Sequence, residues 1–127
     1  MPAETASGFY PGQAPIEAFG EGGFRFAGMS HRGSLLVLPS GIRAWAAVSA
    51  DDLTMASFEP LLADRARIDF VLLGTGATQV FPGRRIRDGF DAVGLGLEVM
   101  STGAAARTYN VLLAEGRNVA AALIAVP

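Results

Sequence analysis

One stretch, Leu95–Val126, restricts the fold of this chain more than any other. It reads as strand, tight turn, helix, strand: Leu95–Met100, Ser101–Gly103, Ala104–Glu115, then Asn118–Val126. Ser101 and Thr102 can each accept a hydrogen bond from a free helical N–H, so either suits the N-cap. Ala105, Tyr109, Leu112 and Leu113 follow at i, i+4, i+7 and i+8, one apolar face. Gly116 stands where a helix commonly turns left-handed, since it has no Cβ to clash. Asn118–Val126 is apolar on both faces, as a strand covered on both sides must be. Leu97 and Val99 read as part of a second covered strand. A helix between two such strands predicts a βαβ crossover.

Upstream, Ile68–Leu73 is the clearest strand, nearly all apolar and rich in β-formers. Gly74-Thr75-Gly76 ends it. A helix is predicted just after Pro82, with Ile86, Phe90 and Val93 inward and Arg84, Arg85, Arg87 and Asp88 in water. Gly94 closes it. This makes a second βαβ unit that shares the strand before Ser101. Asp51–Asp64 reads as helical, with Thr54 as N-cap. Pro60 removes an N–H and clashes with the carbonyl four back, so two short turns are expected there. Ile16–Phe19 is a short strand and Gly20–Gly23 a loop. Phe24–Met29, a turn at Ser30–Gly33, and Leu35–Leu38 read as a β-hairpin. Pro39–Gly41 turns the chain into Ile42–Trp45, with Trp45 inward. Residues 1–15 hold three prolines and no apolar period, and are expected to form a loose arm. Residues 16–127 form the one domain. The fold class is α/β, a central mixed β-sheet with flanking helices and an N-terminal hairpin.

Bulk properties narrow the function. A length of 127 residues suits one domain, and half of them are apolar. Net charge is −2 and no basic stripe is present, so a nucleic-acid backbone has no electrostatic footing. With no cysteine there is no disulfide or thiolate chemistry, and one histidine rules out multi-histidine metal sites. No apolar run approaches the roughly 20 residues of a membrane span. The N-terminus has no basic residue before Arg25 and resembles neither a signal nor a transit peptide, so a cytoplasmic location is expected.

Two parallel strands side by side would bring Gly74-Thr75-Gly76 and Ser101-Thr102-Gly103 to one sheet edge, where open α/β sheets bind ligands. The second loop opens a helix whose dipole suits an anion. Arg107 can reach back to the same corner, and Asn110 adds a neutral donor. The competing reading is plain: one loop is a turn, the other a satisfied cap. No third glycine completes a dinucleotide fingerprint, and no Walker Lys-Ser/Thr is present. Asp51 and Asp52 read as helix-start acids. His31 falls in a turn, and no nucleophile–base set is visible. Glu98 interrupts an apolar strand; it either sits buried beside Arg107 or Arg25, or faces water at a sheet edge.

Leu72-Leu-Gly-Thr-Gly76, Gly20-Glu-Gly-Gly-Phe-Arg-Phe26, Ser34–Gly41 and above all Ser101–Arg117 resemble the Mth-type domain, a domain of unknown function. The likeness covers nearly all the chain after Pro15. It implies a three-layer fold with a mixed sheet, helices and an extra hairpin. It also implies a role in complex assembly, since mitochondrial members are assembly factors for respiratory complex I, while another animal member is linked to adipogenesis. It brings no catalytic residues. Many relatives place Cys where this chain has Ala106, which removes any thiol-dependent role. The reading is a non-catalytic interaction protein with a protein partner, no cofactor, no metal and no nucleic acid, and a homo-oligomer through the hairpin is compatible with it. The alternative is a small-anion or small-molecule binder, or an enzyme, built on the Thr75/Ser101–Gly103/Arg107 corner.

Overall fold

A computed structural model describes residues 9–127. Among the described residues, nine strands form two sheets. The larger holds β1 (Phe9–Pro11), β6 (Gly41–Trp45), β5 (Ser34–Leu38), β9 (Val119–Leu123), β7 (Phe70–Gly74) and β8 (Gly96–Met100), in that spatial order. β8 and β9 both run parallel to β7, while β5 is antiparallel to β9, and β6 to β5. The sheet is therefore mixed. The smaller sheet is a meander of β2 (Ile16–Gly20), β3 (Gly23–Phe26) and β4 (Met29–Arg32).

Both βαβ units form as the apolar pattern requires. Helix α2 (Arg84–Ala92) links β7 to its neighbour β8, and helix α3 (Thr102–Ala114) links β8 to β9 across β7. The core lies in two halves, one on each face of the large sheet. Ala120, Ala122 and Ile124 join Phe58, Leu61, Ile86 and Phe90 on one face. Val119, Ala121 and Leu123 join Phe24, Phe26, Ala105 and Tyr109 on the other. This double covering is why β9 reads as an unbroken apolar run. Each fully buried leucine or phenylalanine here contributes about 1.5–3 kcal/mol.

Both helices end in the same way. Leu95 N–H donates to the Phe90 carbonyl and Gly94 N–H to that of Asp91. Arg117 N–H donates to Leu112 and Gly116 N–H to Leu113. Gly94 and Gly116 are left-handed, which turns the chain out of the helix and satisfies its last carbonyls. This also corrects Val93. It is exposed, because the chain turns at Gly94 and Leu95 takes the buried place instead. Pro60 sits in the first turn of helix α1 (Glu59–Ala63), where a missing N–H costs nothing, after a 3-10 turn at Met55–Phe58 that starts from Thr54. The region is thus a pair of short turns, as Pro60 demands. Trp45 is inward and its indole N–H donates to the Ser57 carbonyl at 2.7 Å.

The N-terminal half departs from the expected pairing. Phe24–Met29 is not one strand, and Ser30–Gly33 is not the hairpin turn. The chain reverses at Ala27-Gly28, so Ser30, His31 and Arg32 lie in β4, paired with β3. Leu35–Leu38 pairs with β6 and β9 instead. Both Ala27 and Gly28 have positive φ, the turn that matches strand twist, although alanine pays a steric cost there. Ala27→Asn is therefore expected to stabilise the fold by about 0.5–1 kcal/mol in urea unfolding.

The loose arm expected over residues 1–15 is corrected from Phe9 onward. Phe9, Tyr10 and Pro11 pair with Arg43, Ile42 and Gly41. Ala14 is buried, and its carbonyl accepts the Tyr109 hydroxyl at 2.9 Å. Gln13 donates to the Val119 carbonyl. These partners come from distant parts of the chain, so local composition does not reveal them. The rest of the arm, residues 1–8, lies outside the described residues.

Asp64 ties the Pro39–Gly41 turn to the turn after α1. Its carboxylate accepts the Ser40 N–H at 3.1 Å and Arg67 Nη2 at 2.9 Å. Burial pulls the Asp64 pKa up, but the bonds from Arg67 and Ser40 outweigh it and hold the group below the usual carboxylate range. A carboxyl with a depressed folded pKa stabilises fully above its unfolded value, about pH 4, and loses that contribution as pH falls through the folded value. Asp64→Asn should therefore flatten the acid limb of a Tm-against-pH curve below about pH 4.

Candidate functional site

The loops after β7 and β8 do meet. Thr75 N–H donates to the Met100 carbonyl at 3.0 Å, and Thr102 N–H to the Gly76 carbonyl at 2.9 Å. The adjacency follows from β7 and β8 being parallel neighbours, with Gly74 opposite Met100.

What they build is a packed seam. The Thr102 hydroxyl is fully buried; it donates to the Ile124 carbonyl at 2.7 Å and accepts the Gly76 N–H at 2.9 Å. The Thr75 hydroxyl donates to the Thr78 carbonyl at 2.7 Å and accepts the Val80 N–H at 2.9 Å. Ser101 is the N-cap of α3, its hydroxyl oxygen accepting the Ala104 N–H at 3.3 Å. Gly74 presses on Thr102 so closely that a Cβ at 74 would lie 2.8 Å from the Thr102 Cα. One threonine thus ties the ends of β7, β8 and β9 together. Its donor and acceptor capacity is used by protein groups.

The other predicted site residues lie elsewhere. Gly103 is buried where α3 meets the meander: a Cβ there would approach Phe19 Cζ of β2 at 2.7 Å and Arg107 Nη1 at 3.5 Å. Arg107 is exposed beside it, on the side of α3 that faces Phe19 of β2 and not within the seam. Asn110 secures the meander. Its Oδ1 accepts the Ile16 N–H at 2.8 Å and its Nδ2 donates to the Ile16 carbonyl at 2.9 Å. Of the predicted set, Gly74, Thr75, Gly76, Ser101 and Thr102 converge; Gly103 and Asn110 pack against the meander, and Arg107 is exposed. Glu98 resolves as the edge alternative. It is exposed on β8, which among the described residues has β7 as its only strand neighbour, so Leu97 and Val99 are half-buried instead of covered on both sides.

Beside the seam lies an open cavity of about 390 Å³. Thr75, Gly76 and Val80 line one wall, Val48, Ser49 and Asp51 another. Among the described residues, Asp51 is its only charged lining side chain. An anion gains nothing from that carboxylate. The second wall has no pattern that sequence reasoning could use, because Ala46–Ala50 holds neither period nor motif. Among the described residues, no group of three or more His, Asp or Glu side chains is placed to hold a metal ion. No helix among them is long and apolar enough to cross a membrane.

Fold and seam define a class: a small three-layer α/β domain whose loop junction is held by its own hydrogen bonds. The chain belongs to the family described as protein of unknown function (DUF498/DUF598), whose model matches residues 16–124. It is 40% identical to an uncharacterised protein of Rhodobacter capsulatus, over 93% of this chain and 90% of that protein. It is 30% identical to NADH dehydrogenase [ubiquinone] 1 alpha subcomplex assembly factor 3 of Mus musculus, over 93% of this chain. The match spans 64% of that mouse protein. A crystal structure from Bartonella henselae, described as an outer membrane protein, superposes with TM-score 0.87 at 45% identity, covering 93% of this chain and 99% of that one. A Mth938-like domain from Bordetella pertussis superposes with TM-score 0.73 at 29% identity, covering 88% and 85%. The family resemblance read from Ser101–Arg117 and the fold expected from it both hold.

Proposed function

We propose that this chain is a non-catalytic interaction protein that assists assembly of a respiratory NADH dehydrogenase complex. The observation that carries the reading is the likeness to the mouse assembly factor across 93% of this chain. Two features of the site support it. The hydroxyls at the seam are consumed by backbone groups, and in the adjoining cavity the Ser49 hydroxyl beside the exposed Asp51 serves as a cap, accepting the Asp51 N–H at 3.2 Å. The partner is a protein, and the domain works without crossing the bilayer, in the cytoplasm.

Deleting the gene in the native host tests this. The expected result is loss of assembled NADH dehydrogenase on native gels, restored by the intact chain. Normal assembly in the deletion strain overturns the proposal. The small-anion alternative is tested by thermal shift with phosphate and carboxylates. No shift, and no effect of Arg107→Ala on any shift, is the expected result.

A further inference from the structure

The charges of α2 run against its own dipole. Arg84, Arg85 and Arg87 occupy its first turn, where the field is positive, and no acidic residue offsets them there. Asp88 stands at mid-helix and Asp91 in the last turn, at the negative end. Each reversed charge works against the helix. Helix stability therefore does not explain this arrangement. All three guanidinium groups are exposed. Arg84 makes only a loose 3.8 Å contact with Asp88, between two largely solvated side chains. Among the described residues, Arg85 and Arg87 have no carboxylate within 4.0 Å.

Exposed apolar side chains immediately precede the helix. Phe81 is 61% exposed and Val80 37%. The Arg87 guanidinium lies 5.5 Å from the centre of the Phe81 ring, which holds the ring at the surface beside the charges. Buried Pro82 leads from this pair into the helix and limits how far they can swing. Arginine and aromatic side chains together are the composition of interface hot spots, and the planar guanidinium fork matches carboxylates.

We infer that the surface formed by Val80, Phe81, Arg84, Arg85 and Arg87 docks an acidic segment of a partner protein, with carboxylates against the arginines and an apolar side chain against Phe81. This inference rests on the proposed role as an interaction protein and locates its contact face. The occupant follows from charge complementarity: three solvated cations in one helical turn, one of them stacked on an exposed aromatic, favour an anionic chain that also carries apolar groups.

Site-specific photo-crosslinking in the native host tests it. Benzoylphenylalanine replaces Val80 in one strain and Val111, exposed on α3, in another. The expected result is a protein adduct at position 80 and not at 111, mapping by mass spectrometry to a segment rich in Asp or Glu. Combining Arg84→Gln, Arg85→Gln and Arg87→Gln should lower the yield about tenfold, with the circular dichroism spectrum unchanged. An undiminished yield in that variant overturns the inference. So does an adduct to lipid acyl chains, or to a segment without carboxylates. Adducts at 111 alone overturn this face while the proposed role stands. No adduct at either position overturns this face too, while normal NADH dehydrogenase assembly in the deletion strain would also remove the role.

Discussion

Thr102→Val is expected to lower the unfolding free energy by about 2–4 kcal/mol, the sum of two buried groups left without partners. Valine nearly matches threonine in shape, so packing is preserved and the loss is polar. The Gly76 N–H and the Ile124 carbonyl both bond to the Thr102 hydroxyl, which is fully buried. Water cannot replace it without opening the ends of β7 and β9. Thr102→Ser keeps the hydroxyl and should cost only about 1 kcal/mol for the lost methyl. Urea unfolding of the three proteins at constant m-value decides the matter. A valine variant within about 0.5 kcal/mol of the parent would mean that the seam is not held in this way.

Gly74→Ala should cost about 2–3 kcal/mol for a different reason. The added Cβ would stand 2.8 Å from the Thr102 Cα and 3.1 Å from Leu123 Cδ2. The first of these is backbone, so no rotamer change relieves it, and α3 must shift from β7. The control is Gly83→Ala, where nothing lies within 4 Å of the new Cβ and φ is −60°. As the N-cap of α2 it should lose only about 0.5–1 kcal/mol, since alanine caps less well than glycine. Thermal unfolding should separate the two by about 10 °C for a domain of this size. Equal Tm values would show that the β7–α3 contact yields easily.

Together these variants bear on how the site should be read. A loop junction that loses stability when its hydroxyl is removed is a structural joint. Catalytic groups more often sit at a cost to stability, so that removing them raises it.

The C-terminal half was legible because its signals are local. Period-3.6 stripes in α2 and α3, an unbroken apolar β9 and glycines at both helix ends each lie within one window of sequence. Gly94 and Gly116 were found because a left-handed residue after a helix is a demand made by the adjacent turn. The N-terminal half was less legible. Ala27-Gly28 gave no turn signal as strong as Asn-Gly, while Ser30-His31-Arg32-Gly33 looked like a turn and is a strand followed by one residue of bend. Its half-buried β4 is polar because one side faces solvent.

The candidate site was legible as a place and not as chemistry. Parallel neighbouring strands bring Thr75 and Thr102 together, and that much follows from the crossover pattern. Whether a hydroxyl at such a place faces a ligand or a backbone carbonyl depends on a third chain segment. Here that segment is Ile124, 22 residues beyond Thr102.

The sequence by itself determined the two crossover units, the covered strand and the family, because short-range periodicity and capping need no distant partner to be felt. Tertiary structure alone decided that Asn110 anchors Ile16, that Phe9–Pro11 joins the sheet edge, and that Thr102 is spent on the Gly76 N–H and the Ile124 carbonyl. The physical reason is common to all three. A hydrogen-bonding group takes whichever partner the fold brings within about 3 Å, and no local pattern records a partner supplied from far along the chain.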